Sequence, residues 1–129
     1  MAINILIVDD ERALAETLCA ILIHAGFAPL SAHSTAEART ILDSTPIDLL
    51  ISDVVMPGMN GYELAMYTSK HHPQTRIVLL SGNAATQEIV TLGDSGEYQF
   101  DLLAKPIAPR QLIAYIRSLF DPSTQQRAG

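Results

Sequence analysis

Residues 49–61 read Leu49-Leu50-Ile51-Ser52-Asp53-Val54-Val55-Met56-Pro57-Gly58-Met59-Asn60-Gly61. An apolar run leads to an acid, and a Pro-Gly turn follows at once. A short apolar run bounded by turn residues reads as a strand buried on both faces. Strands of that kind belong to parallel sheets flanked by helices. An acid at the end of such a strand is either a turn residue or part of a site. The stretch alone leaves both readings open, and the rest of the chain decides between them.

Upstream, Ile3 to Val8 is a second apolar, β-branched run, and Asp9-Asp10-Glu11 follows it directly. A helix is expected over 11–25, where Leu14, Leu18, Ile21, Leu22 and Ala25 share a face. Cys19 and Ile23 make a second apolar flank one turn apart, expected to join the core. Gly26 suits the helix end. A short strand is predicted near 27–32. Ser34-Thr35-Ala36-Glu37 then matches a capping box and opens a helix running to about Asp43. Pro46 breaks the chain before the strand that ends in Asp53. A third helix is expected over 61–70, closed by His71-His72-Pro73, a solvated helix end. Arg76 to Ser81 is a fourth strand, followed by a weak helix around 84–92 and a polar loop at 93–99. Phe100 to Ala104 is a fifth strand, closed by Lys105-Pro106. The last helix spans 109–120, with Pro109 suited to the first turn and Leu112, Ile113, Ile116, Leu119 and Phe120 on its buried face. Five alternations of strand and helix predict a parallel sheet with helices on both faces. One domain is expected over 1–122, with a frayed polar tail at 123–129.

Composition narrows the function. The chain has 129 residues, 48% hydrophobic and 17% charged, which suits one domain with its own core. Its net charge of −6 and scattered Lys and Arg argue against nucleic acid as a partner. No apolar run approaches a bilayer span, so no membrane association is expected, and the cytoplasm is the expected compartment. The lone Cys19 excludes an internal disulfide and a zinc ribbon.

The strand ends carry the chemistry. They present Asp9-Asp10, Asp53, Ser81 and Lys105, and in a doubly wound fold such groups meet at the carboxyl edge of the sheet. Three carboxylates held together repel by roughly 4 kcal/mol per pair at 4 Å and an effective dielectric near 20. Lys105 offsets only part of that charge. The set therefore suggests Mg2+, which favours oxygen ligands and bridges carboxylates to phosphate. An Asp carboxylate can attack a phosphoryl group to form an acyl phosphate, a transfer that depends mainly on positioning and charge neutralisation. Phosphate-loop, dinucleotide, zinc-protease and serine-hydrolase signatures do not occur.

Val8-Asp9-Asp10-Glu11, Asp53-Val54-Val55-Met56-Pro57 with Gly61 eight residues after the acid, Ser81-Gly82 and Lys105-Pro106 together resemble the receiver domain of bacterial two-component response regulators over residues 3–120. The resemblance implies a flavodoxin-like α/β fold with strand order 2-1-3-4-5. It implies that Asp53 accepts a phosphoryl group from a histidine kinase or histidine phosphotransfer protein. Asp10, Asp53 and the Val55 carbonyl would bind Mg2+, and Asp9 would hold a metal-bound water. Lys105 would pair with the carboxylate and then with the phosphoryl oxygens. Ser81 would donate its hydroxyl to the phosphoryl group and shift on activation, and Pro106 would follow a cis bond. Val55 and Asn83 would flank the site and tune phosphoryl loss.

Two features depart from the family pattern. Leu102 stands where an aromatic switch residue is usual, and the segment 93–99 lacks the usual Gly-Ala. Helix 84–92, strand five and the last helix form the family's usual output face, so these departures bear on the switch.

Three functions follow for comparison. The first is a phosphoacceptor switch, not an enzyme beyond its own phosphorylation and slow autodephosphorylation, with phosphorylation-dependent homodimerisation as a further expectation. The alternative is a protein-interaction module with the same fold that is never phosphorylated. A phosphatase of the haloacid dehalogenase type would want a second Asp two residues after the nucleophile, where this chain has Val55. The span suits a stand-alone regulator, a phosphorelay shuttle or the receiver of a longer protein.

Overall fold

Over residues 4–53 strand and helix alternate as the apolar periodicity predicts. The structure, a computed structural model, describes residues 2–56, 59–81, 101–104 and 108–120; for Val55, Met56, Met59 and Ala104 it describes the backbone alone. In chain order the elements are β1 (Asn4–Val8), α1 (Arg12–His24), β2 (Ala28–Ala32), α2 (Thr35–Ser44), β3 (Leu49–Asp53), β4 (Val55–Met56), β5 (Met59–Asn60), α3 (Gly61–His71), β6 (Arg76–Ser81), β7 (Asp101–Ala104) and α4 (Pro109–Phe120). Five strands make one sheet in the order β2-β1-β3-β6-β7, and every pairing in it is parallel. Counting only those five, the order is the flavodoxin-like 2-1-3-4-5. β4 and β5 form a separate antiparallel ladder, Val55 opposite Asn60 and Met56 opposite Met59. The expected helix at 84–92, the loop at 93–99, Phe100 and the tail at 123–129 lie outside the described residues.

The core follows from period-two alternation along strands buried on both faces. Ile5, Ile7, Leu49, Ile51, Val78 and Leu80 face one side, where Ala15, Leu18 and Leu22 of α1 and Leu112 and Ile116 of α4 cover them. Leu6, Val8 and Leu50 face the other side, against Ala38 and Leu42 of α2 and Leu64 of α3. Burying a Leu or Ile side chain contributes about 1.5–3 kcal/mol, so the helices are held mainly by these two faces.

The helix ends show local causes. α1 closes with Gly26 at φ +97°, while the Gly26 N–H donates to the Ile23 carbonyl and the Phe27 N–H to the Leu22 carbonyl, at 3.0 and 2.9 Å. That pair of bonds is the Schellman arrangement, and the left-handed residue it needs is a glycine. The second apolar flank of α1 divides. Cys19 packs against the core, and burial pushes its thiol above the ordinary range. Ile23 is 62% exposed, contrary to expectation, because Ala15, Leu18 and Leu22 already fill the strip that faces the sheet. α2 opens as the capping box predicts on one side only. Ser34 Oγ accepts from the Glu37 N–H at 3.1 Å, but Glu37 Oε1 accepts from the N–H of His33, one residue before the cap, at 2.7 Å.

Candidate functional site

Parallel register brings the acids together. β1 and β3 are neighbours with Val8 opposite Ser52, so Asp9 emerges from the sheet beside Asp53. One carboxylate oxygen from each of Asp9, Asp10 and Asp53 lies within 4.8 Å of the others. Asp9 is buried, Asp53 half-buried and Asp10 exposed. At such separations each pair of charges repels by about 3–4 kcal/mol at an effective dielectric near 20, less where water screens Asp10. α1 begins two residues after Asp10, and the partial positive charge of its N-terminus offsets part of this. The donor set is all hard oxygen, half-open to solvent. It fits a small divalent cation such as Mg2+ and gives no purchase to a thiolate- or imidazole-seeking metal.

The backbone around each acid is fastened. The Asp9 N–H donates to the Ala32 carbonyl at 3.1 Å, and Asp9 Oδ1 accepts from the Glu11 N–H at 3.0 Å. Beyond Asp53, the Val54 N–H continues the ladder to the Leu80 carbonyl at 3.1 Å, and the Gly61 N–H closes the turn onto the Val54 carbonyl at 2.7 Å. Buried Ser52 donates from Oγ to the Asp53 carbonyl at 3.0 Å. Asn60 caps α3 by accepting from the Tyr62 N–H at 2.8 Å. Gly61 is needed for close approach: a Cβ there would lie 1.9 Å from the Asp53 carbonyl oxygen.

The other predicted residues fall around this cluster. Asp53 pairs with Leu80, so Ser81, buried at the end of β6, stands one step further toward the edge. Ala104 pairs with Ser81. Lys105 follows in sequence; it lies outside the described residues, as do Gly82, Asn83 and Pro106. Val55 lies in β4 two residues after Asp53. Leu102, opposite Leu79 in the register, packs half-buried against the group formed by Val54, Tyr62, Ala65 and Leu79. Ser52, Asn60 and His33, whose ring Nδ1 lies 3.1 Å from the Asp9 carbonyl oxygen, were not among the predicted residues. Ser52 carried a signal, as a polar residue inside an apolar strand, and so did Asn60, as a cap residue before a helix. His33 carried none beyond following a strand.

Comparison with known proteins agrees with this geometry. The family model for the response regulator receiver domain matches residues 5–117. Response regulator MprA of Mycobacterium bovis (strain BCG / Pasteur 1173P2) is 34% identical over 119 residues, covering 92% of this chain and 51% of that protein. Transcriptional regulatory protein CpxR of Klebsiella pneumoniae is 36% identical over 116 residues, covering 90% of this chain and 48% of that protein. The chain thus spans about half the length of these curated relatives. Among solved structures, a CheY-like response regulator receiver domain protein from Methanospirillum hungatei JF-1 superposes with a TM-score of 0.83 over the whole of both chains. At 24% identity that likeness shows the fold. Among the described residues no helix is long and apolar enough to cross a membrane.

Proposed function

This chain belongs to the response regulator receiver domain family, whose members are signalling domains of two-component systems, and from that premise we propose that it is a phosphoacceptor switch. Asp53 takes a phosphoryl group from a histidine kinase or histidine phosphotransfer protein in a Mg2+-dependent reaction, and the aspartyl phosphate alters a partner-binding face. The observation that carries this reading is the meeting of Asp9, Asp10 and Asp53 within 4.8 Å at the carboxyl edge of a parallel sheet.

The chemistry asks for an ionised carboxylate, a way to neutralise phosphoryl charge, and a fixed approach. An Asp53 oxygen attacks phosphorus in line. The new O–P bond forms as the donor's N–P bond breaks, and the leaving imidazole nitrogen keeps the electron pair. No proton has to leave Asp53. Asp10, Asp53 and the Val55 carbonyl would hold Mg2+ directly, with Asp9 acting through water. When bound, Mg2+ supplies neutralisation of the phosphoryl oxygens and a template that orients them. Ser81 donates its hydroxyl to a phosphoryl oxygen, and Lys105 neutralises another. Ser52, Gly61 and the Val54 ladder bond keep the nucleophile's backbone from yielding. Val55 and Asn83 would tune how fast water removes the phosphoryl group.

Leu102 conveys the change. A hydroxyl shift at Ser81 moves the end of β6, and Leu102 packs beside Leu79 on that strand. This is a packing switch in place of an aromatic rotamer. The same substitution favours the second reading, a never-phosphorylated interaction module. Incubation with acetyl phosphate and Mg2+, followed by intact mass, separates the two. The switch predicts one added phosphoryl group in the wild type and none in Asp53→Asn. No gain in either, with partner capture indifferent to beryllofluoride, supports the module instead.

A further inference from the structure

We propose that His33 is a positioning residue for the metal seat, acting through the peptide that joins Asp9 to Asp10. The inference rests on the phosphoacceptor reading and concerns the same site. His33 directly follows β2, beside the carboxyl end of β1. Its ring Nδ1 lies 3.1 Å from the Asp9 carbonyl oxygen. A carbonyl can only accept, so Nδ1 carries the proton and donates. The His33 backbone is itself held, since its N–H donates to Glu37 Oε1 in the first turn of α2 at 2.7 Å.

Asp9 is thereby fastened at three points: its N–H to Ala32, its carboxylate to Glu11 and its carbonyl to His33. Asp10 differs. It is exposed, and among the described residues no hydrogen bond holds its carboxylate. Among the described residues, it is the backbone leading into it that places it within 4.8 Å of Asp9 and Asp53. The peptide unit is planar, so the direction of the Asp9 carbonyl also sets the direction of the Asp10 N–H and the position of its Cα. Repulsion among the three acids pushes Asp10 outward, and the His33 bond resists the rotation of that peptide. Groups that orient metal ligands directly change metal affinity by about 10–100-fold. His33 acts one bond further back, through a neutral hydrogen bond, and a loss of about three- to tenfold is expected.

The test is a Mg2+ titration followed by backbone amide resonances, on wild type, His33→Ala, His33→Asn and His33→Gln. An Asn side chain carries its N–H at the same bond distance from Cβ as Nδ1, and Gln carries it one bond further. Weaker Mg2+ binding in the Ala and Gln variants, by about three- to tenfold, with recovery to within about twofold in His33→Asn, is the expected result. Equal affinities in wild type and His33→Ala overturn the inference and leave the phosphoacceptor reading standing. So does failure of His33→Asn to recover. Should His33→Ala not fold, the Asn and Gln variants carry the test, and equal affinities in those two overturn the inference. A wild-type chain that binds no Mg2+ overturns the reading and the inference together.

Discussion

At Gly61 the chain passes so close to Asp53 that no side chain can be added without moving backbone. A Cβ there would sit 1.9 Å from the Asp53 carbonyl oxygen, 2.9 Å from its carbon and 3.0 Å from Ser52 Oγ. The obstruction is main chain, which cannot swing aside as a flexible side chain would. Gly61→Ala is expected to lower stability by about 3 kcal/mol, at the upper end of the usual cost of overpacking. Urea unfolding measures it, and a midpoint equal to the wild type's would show that the turn at 54–61 gives way freely. Ser52→Ala is a milder change at the same place. It removes the donor to the Asp53 carbonyl at a fully buried position and is expected to cost about 1–2 kcal/mol. The slope of the urea transition should not change, since the exposed surface is unaltered. Much of the site was legible at this scale, because an acid at the end of a buried strand is visible in the chain itself. Depth was not legible. Asp9 and Asp10 are identical neighbours in sequence, yet one is 2% exposed and the other open to solvent, a difference set by the turn into α1.

Between elements, the clearest tie joins α2 to α3. Asp43 near the end of α2 accepts from the Tyr67 hydroxyl at 2.9 Å, and His72 Nε2, just past α3, lies 2.8 Å from Asp43 Oδ1. The Arg39 guanidinium sits 4.8 Å above the Tyr67 ring, and the His71 ring lies 4.5 Å from it. His71-His72 was expected as a solvated helix end; His71 is exposed there, and His72, half-buried, also joins this tie. Helical spacing tells which residues of one helix share a face. It does not tell which face of another helix they meet, so the pairing was not readable from the chain. The hydrogen bonds of His72 and then of Tyr67 hold Asp43 below the usual carboxylate range. A depressed carboxylate favours the folded state fully above its unfolded value of 3.8, and that contribution is lost as pH falls through the lower folded value. Asp43→Asn should therefore flatten the dependence of unfolding free energy on pH below about 3.8. Matching slopes in the acid window would refute the tie. On the opposite layer, the Tyr115 hydroxyl of α4 donates to Asp101 Oδ2 at the start of β7, and burial, followed by that bond, pushes the phenol far above its ordinary range. Tyr115→Phe loses one bond to a charged acceptor and is expected to cost about 1.5–3 kcal/mol in urea unfolding, at the low end because Asp101 is exposed to water.

Over the whole molecule, the alternation of strand and helix was sufficient to imply a parallel sheet with helices on both faces. It was not sufficient for the strand order, which came from the resemblance carried by the strand-end residues. The pairing of β1 with β3 is what converts separate motifs into one acidic cluster, since Asp9 and Asp53 are far apart in the chain and neighbours only across that pairing. The cluster then works against the fold that makes it, because folding concentrates three negative charges that the unfolded chain keeps apart. That opposition gives a prediction of two signs. Without a divalent cation, Asp10→Asn relieves repulsion and should raise stability by about 1 kcal/mol, discounted for the exposure of Asp10 to water. With Mg2+, the wild type should gain what binding to the folded state alone supplies, about 2.7 kcal/mol when free Mg2+ reaches one hundred times its dissociation constant. Asp10→Asn lacks one ligand and should gain far less, so the order of stabilities reverses between EDTA and saturating Mg2+. Urea transitions of both proteins in the two buffers measure the reversal. If Asp10→Asn stays the more stable in both buffers, Asp10 does not bear the cation, and the seat beside Asp53 would then have to be sought in Asp9 and the backbone of the following turn.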